Sequence, residues 1–290
     1  MLKILAPAKL NLVLEVIGRR NDGYHDVCSI MQTVSLCDEL TFELAPDVRI
    51  DSHDSRLSEE ANLVTRAVDL LRKAANYHGG VHIDIKKVIP LSSGLAGGSS
   101  DAAATLIVLS RLWEVHISEG ELLKVALELG SDVPFFLHGG MALVEGRGEI
   151  LTPLKNPHTN WYNLLVPRLP LTPHKTGRMY SLLQENHFSD GSHVYEAVKL
   201  ICKKRPLRDR LLCNTFEQVM EEAFPGIRSY YEIFHEAGAA SVHLSGSGPS
   251  LFSIPHSDEQ ALEIHERLKM RSPCAYLVSD CSGGHVIIGH

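Results

Sequence analysis

The sequence lacks most of the signatures that would assign it quickly. Its six cysteines (Cys28, Cys37, Cys202, Cys213, Cys274, Cys281) include no Cys-x-x-Cys pair and no tight framework. That excludes a zinc knuckle or a disulfide scaffold and suits free thiols in a reducing cytosol. Sixteen histidines are scattered along the chain without a His-Glu-x-x-His pair, so nothing points to a zinc hydrolase. No apolar run approaches a membrane span, and Asn11 and Glu15 interrupt the stretch where a signal peptide would be uninterrupted. Fixed-period repeats and low-complexity segments are missing as well. The formal net charge of -7 offers no basic face for a nucleic acid. The one basic cluster, Lys203, Lys204, Arg205, Arg208 and Arg210, reads as a solvated helix end. The expectation is a soluble cytoplasmic protein with neither a nucleic-acid nor a membrane partner.

What remains is ordinary globular composition, 290 residues of which 44% are hydrophobic, enough for one large domain or two smaller ones that bury roughly 75% of the unfolded surface. One stretch stands out: Pro90, Leu91, Ser92, Ser93, Gly94, Leu95, Ala96, Gly97, Gly98, Ser99 and Ser100. Before it, Val81 to Ile89 has the alternation and β-branching of a strand. After it, Ala102, Ala103, Leu106, Leu109 and Trp113 fall at helical spacing on one face. Glycines let backbone N–H groups converge, and a helix start adds unpaired N–H groups with the positive end of a dipole. The stretch therefore reads as a phosphate cradle, or else as a plain strand-to-helix connection capped by Ser99 or Ser100. It lacks the Gly-Lys-Ser/Thr ending of a P-loop and the dinucleotide spacing.

Elsewhere, Lys9 to Val16 alternates as a strand, with Leu10, Leu12, Leu14 and Val16 on one face and Lys9 beside Asn11 on the other. Asn21-Asp-Gly23 signals a turn, followed at once by Tyr24 and His25, an aromatic and an imidazole suited to a planar ligand or to packing a hairpin. A polar loop around Asp51 to Glu60 precedes a helix that Asn62 would cap. Ser118 and Glu121 form a capping box for a helix stopping at Gly130. Asp132, just before Pro134, either caps a short helix or stands as a free carboxylate base. Gly146-Arg-Gly-Glu149 turns the chain between two strands. Pro153 and Pro157 mark the best boundary, giving domains 1–157 and 158–290. The second half predicts a strand at Asn163 to Val166, and helices over Leu211 to Ala223 and Ile227 to Ala237. Strand, glycine turn and strand follow over Ser241 to Ile254, then a helix from Asp258 to Met270 and two closing strands. That is a β-α-β-β-α-β layout with inserted helices, and the whole chain is α+β in two domains.

Phosphoryl transfer to an alcohol asks for N–H groups on the donor phosphates, a cation for developing charge and a carboxylate that takes the hydroxyl proton. The motifs Ala6-Pro-Ala-Lys-Leu-Asn-Leu12, Asp22-Gly-Tyr-His25, Pro90 to Ala104, Gly130-Ser-Asp-Val-Pro134 and Leu244-Ser-Gly-Ser-Gly-Pro249, in this order, resemble the GHMP-type small-molecule kinases. Within that group the likeness is to the branch whose acceptor is a cytidine diphosphate sugar alcohol. The resemblance implies a two-domain GHMP kinase fold, with an S5-domain-2-like nucleotide domain followed by a ferredoxin-like domain carrying extra helices. It implies ATP with Mg2+ as co-substrate and no structural metal. Residue by residue, it makes Lys9 and Asp132 catalytic and Pro90 to Ser100 the ATP phosphate loop. It gives Asn11, Tyr24, His25, Thr176 and Tyr180 to the acceptor, with Tyr24 and Tyr180 stacking on the cytosine and His25 bonding its edge. The implied reaction is ATP-dependent phosphorylation of the 2-hydroxyl of that alcohol, on the non-mevalonate route to isoprenoids. The alternatives are a mevalonate-type or homoserine kinase, or a non-catalytic nucleotide-binding regulator of the same fold. Two segments depart from the family pattern: Lys175 stands where a serine is common, and Asn214-Thr-Phe-Glu217 replaces Asn-Asp-Leu-Glu. Asp101 puts a negative charge beside the phosphate helix, either turned away from it or organising Mg2+.

Overall fold

The computed structural model describes residues 1–52, 60–155, 160–170, 174–207 and 209–288. It opens with a long antiparallel hairpin, β1 (Leu2–Arg19) and β2 (His25–Ala45), followed by β3 (Val48–Ser52), α1 (Glu60–Ala75) and β4 (Gly80–Lys86). Next come α2 (Gly97–Leu112), α3 (Glu119–Leu129), α4 (Val133–His138), β5 (Met141–Gly146) and β6 (Ile150–Leu154). The remainder comprises β7 (Trp161–Leu165), α5 (Lys175–Leu182), α6 (Ser192–Cys202), α7 (Met220–Ala223), α8 (Arg228–Ala237), β8 (His243–Leu244), β9 (Leu251–Ser253), α9 (Asp258–Arg271), β10 (Ala275–Ser279) and β11 (Val286–Ile288).

Two sheets result. The first runs β11-β1-β2-β4-β3, with β5 on β2 and β6 on β5. The second runs β10-β7-β9-β8 with every pairing antiparallel. Numbered within its own half, that order is 4-1-3-2, which is the pattern a β-α-β-β-α-β unit produces. The last strand, β11, leaves this half and pairs with the start of β1.

β1 is the spine of the molecule because consecutive pieces of it serve different cores. Ile4 and Ala6 pack with α1, α2 and α4 residues such as Val64, Leu106 and Phe136. Ala8, Leu10, Leu12 and Val13 pack with Tyr162, Leu164, Ile201 and Phe252 of the second half. Leu14 and Val16 join Phe216, Phe224, Phe234 and Leu244. Register shifts against β2 fall at Pro7/Ala8, where the strand passes from the first core to the second, and at Asn11/Val13 and Val16/Gly18 further along it.

Local signals behaved as their chemistry dictates at α3, where Ser118 and Glu121 exchange the reciprocal bonds of a capping box. Three expectations fail. The helix predicted over Leu211 to Ala223 is broken into short turns at Asp209–Leu211 and Thr215–Gln218 before the four-residue α7. Asn214 ends its continuity, because the side chain accepts from the Phe216 N–H at 3.0 Å instead of standing inside a helix. α2 starts at Gly97, with left-handed Ala96 and not Ser99 or Ser100 at its cap. α1 starts at Glu60, so Asn62 lies within its first turn instead of capping it. The boundary proline Pro157 and residue Arg208 lie outside the described residues.

His285, beside β11, ties the end of the chain to α2: its Nε2 lies 2.9 Å from the Ser100 carbonyl oxygen. Burial pushes this imidazole down to about 4 from 6.5, so the unfolded chain takes up the proton first. Stability conferred by the neutral ring is fully present above pH 6.5 and is lost as pH falls toward 4. We expect the melting temperature to fall across that window, with a shallower fall in His285→Asn, as measured by thermal unfolding between pH 4 and 7.5.

Candidate active site

A cavity of about 1610 Å³ opens along one side of β1, between the glycine loop and α5. Its wall brings together residues from both ends of the chain: Lys9 and Asn11 of β1, Tyr24 and His25 of the first turn, Asp132 ahead of α4, Lys175, Thr176 and Tyr180 of α5, and Gly246 and Ser247. Of the loop, Pro90, Ser92, Ser93, Gly94, Ala96, Gly97, Gly98 and Ser99 line it, whereas Leu91, Leu95 and Ser100 do not. Leu95 and Ser100 are buried, the first lending its carbonyl to the Lys9 N–H at 3.0 Å and the second facing His285.

Lys9 is 4% exposed. Its ammonium donates to Asn11 Oδ1, Asn11 Nδ2 donates to Ser29 Oγ at 2.9 Å, and Ser29 Oγ donates to the Val13 carbonyl at 2.7 Å. This chain of three bonds fixes which way the amide points and holds the lysine at the cavity wall. Asp132 Oδ2 stands 3.9 Å from Lys9 Nζ. Burial lowers the lysine from its ordinary range, and the Asp132 charge partly restores it. Asp132 occupies the cap position of α4, yet its side chain makes no capping bond, so the carboxylate is free for the cavity.

The loop is clamped from two sides. Besides the Lys9 bond, the Ser93 carbonyl accepts from the Ser250 N–H at 3.0 Å, which presses the Ser245-to-Pro249 turn onto it. Gly94 has φ +88, and a Cβ there would lie 2.7 Å from both the Ser245 and Gly248 carbonyl oxygens; only glycine fits. Gly246, with φ +57, would carry a Cβ 3.0 Å from Lys9 Nζ and Asn11 Oδ1. No side chain among the described residues caps α2, leaving its first N–H groups and the positive end of its dipole toward the cavity.

Sequence reasoning passed over several parts of this site. Arg147, from a segment predicted only as a turn, sits 4.6 Å over the Tyr24 ring. His25 stacks on Tyr180 at 4.8 Å and meets Phe188 edge-on at 5.9 Å, while Tyr180 abuts Phe216 at 4.9 Å. Burial and Arg19 keep the His25 imidazole below its ordinary value and hence neutral near pH 7. The divergent segment Asn214 to Glu217 braces the turn: Asn214 Nδ2 donates to the Leu244 and Gly246 carbonyls, both at 2.8 Å, and Glu217 Oε1 accepts from the Leu244 N–H at 2.7 Å. Asp101 is off the cavity wall, its Oδ2 held 2.8 Å from Lys87 Nζ, which also binds Asp38 at 2.6 Å. Lys87 precedes the loop by three residues and supplies a buried cation under Gly97 that the loop's own sequence lacks.

The family model for the GHMP kinases N terminal domain matches residues 62–140, and that for the GHMP kinases C terminal domain matches 197–271. A 4-diphosphocytidyl-2-C-methyl-D-erythritol kinase from Dehalococcoides mccartyi is 43% identical over 279 residues, covering 96% of this chain and 98% of the relative. The chain belongs to the GHMP kinase family. A solved structure of a 4-(cytidine 5'-diphospho)-2C-methyl-D-erythritol kinase superposes on this GHMP kinase with a TM-score of 0.81 at 30% identity, covering 97% of this chain and 99% of the other. The homoserine kinase of Cytophaga hutchinsonii shares the fold, with a TM-score of 0.74 at 22% identity, 99% and 97% covered. Expectations of an α+β GHMP kinase fold and of kinase chemistry are met. No helix among the described residues is long and apolar enough to cross a membrane.

GHMP kinases use ATP, generally with Mg2+. Among the described residues, no three histidine, cysteine, aspartate or glutamate side chains gather as a metal site.

Removing the Ser29 hydroxyl leaves Asn11 Nδ2 buried without its acceptor. Ser29→Ala is expected to lower stability by about 1 kcal/mol, measured by urea titration.

Proposed function

We propose that this GHMP kinase transfers the γ-phosphoryl group of ATP to the 2-hydroxyl of 4-diphosphocytidyl-2-C-methyl-D-erythritol, the acceptor named for the relative that it matches over 96% of its length. The observation that carries the chemistry is the Lys9–Asp132 pair, 3.9 Å apart on the same wall as the glycine loop. In our reading the loop N–H groups and the α2 dipole hold the ATP phosphates. Mg2+ bound with ATP neutralises phosphate charge. Asp132 takes the proton of the acceptor hydroxyl, whose oxygen forms the new bond to phosphorus as the bond to the β-phosphate oxygen breaks and ADP leaves with that electron pair. Lys9 orients the hydroxyl and stabilises charge on the transferring group.

The aromatic side of the cavity supports a cytidyl acceptor over a small aliphatic one. Tyr24, His25 and Tyr180 gather on one wall, His25 stacked on one face of Tyr180 and Arg147 on one face of Tyr24, a surface whose remaining aromatic area suits a planar base; mevalonate or homoserine would leave it unused. Asn11 and Thr176 serve the alcohol and its phosphates, Thr176 being set by a 3.0 Å bond to Ser247 Oγ. We further divide the chain at 157, with β11 reaching back to the first sheet.

An ADP-release assay across the three candidate alcohols decides the acceptor. We expect turnover with the cytidyl alcohol alone, and comparable rates with homoserine or mevalonate would overturn the reading. Asp132→Asn is expected to lower kcat by about 10²–10⁴ with little change in KM. Gly246→Ala, forced against Lys9 and Asn11, is expected to lower kcat at least tenfold while the protein still unfolds cooperatively.

A further inference from the structure

Lys175 sits in the first turn of α5 on the wall of the cavity. Its ammonium donates to the Gly248 carbonyl, whose oxygen is the same atom that forbids a Cβ on Gly94. The lysine is thereby anchored where the Ser245-to-Pro249 turn meets the glycine loop. Among the described residues no carboxylate pairs with it within 4.0 Å. The charged groups that act on it are Lys9 of β1 and Asp132 ahead of α4; the loop Pro90 to Ser100 and the turn Ser245 to Pro249 contain no charged residue. Two lysine side chains therefore face one cavity, and of the carboxylates only Asp132 acts on Lys175. Nothing in the fold requires this, since the carbonyl of Gly248 could be met by any donor.

We propose that Lys175 is a second cationic catalytic residue, contacting the oxygens of the transferring phosphoryl group together with Lys9. The inference rests on the kinase reading of this cavity. An anion placed between the two lysines supplies the counter-charge that lets both be protonated at once. Burial and the Lys9 charge push the Lys175 ammonium down to about 7, so in the free protein at pH 8 it is mostly neutral. Phosphate charge favours its protonated form, and ATP binding must then draw a proton from solvent.

The test compares the wild-type protein with Lys175→Met and Lys175→Arg. Proton uptake on ATP binding at pH 8 is read by calorimetry in two buffers of different ionisation enthalpy, and kcat is followed from pH 6 to 9. The expected result is uptake by the wild type that falls by at least half in both variants, because methionine cannot titrate and arginine is already charged. Turnover falls about 10- to 100-fold in Lys175→Met and is largely restored in Lys175→Arg. Wild-type uptake in Lys175→Met, or equal loss of turnover in both variants with unchanged uptake, would show a mere pin for the turn and overturn the proposal. If Lys175→Met does not fold, Lys175→Arg decides alone: lost uptake with retained turnover upholds it, and wild-type uptake overturns it. ATP binding needs no acceptor, so a protein that proves inactive on the cytidyl alcohol defeats the functional reading and leaves this measurement standing.

Discussion

The structure depends on holding one ammonium group, that of Lys9, inside the protein and still on the wall of an open cavity. A buried unpaired cation is among the most expensive things a fold can contain, so its surroundings are arranged around that cost. Asn11 supplies an oxygen, Ser29 stops the amide from rotating, and Asp132 supplies the opposite charge without closing to a tight pair. A contact at 3.9 Å leaves both groups available. A strand does this better than a loop could: the period of two puts residues 9 and 11 side by side, and burial on both sides of β1 prevents the strand from shifting register.

The donor side follows a different logic. Its wall is largely backbone, and backbone N–H groups converge only where side chains stay out of the way. Gly94, Gly97 and Gly98 meet that demand on the loop, but the loop does not stand alone. It is pinned by β1 through Leu95 and by the Ser245-to-Pro249 turn through Ser93 and Gly94, and the turn is in turn held by Asn214 and Glu217. Glu217 is pushed up to about 7 by burial, the mark of a carboxyl group retained for its hydrogen bond. Residues more than two hundred positions from Lys9 thus set the shape of the space beside it.

Much of this was legible in the sequence where the information is local. The alternation around Lys9, the capping box at Ser118 and the strand, glycine loop and helix around Gly97 all follow from spacing alone, and the ordered motifs pointed to the family. What escaped was non-local. Asn214 breaks a run with helical periodicity because its amide is claimed by the carbonyls of Leu244 and Gly246, partners invisible from its neighbours. Arg147 read as a turn residue, since only the folded hairpin brings it over Tyr24. Lys87 was hidden as a buried group because a lysine at a strand end ordinarily signals solvent, whereas here it pairs with the buried Asp38 and Asp101. Ser99 and Ser100 looked like caps, and the left-handed Ala96 takes that place.

The bond between His285 and the carbonyl of Ser100 joins positions 185 residues apart, and β11 beside it completes the edge of the first sheet against β1. Contacts of such separation form late, after the cost of closing the intervening chain has been met. The helix α2 begins three residues before Ser100, after a cap, Ala96, that no side chain secures. Its first turn is accordingly fastened by a residue 185 positions further along the chain, just as β1 is fastened by Thr215, 199 positions beyond Val16, so the two sides of the cavity both wait on long-range closure.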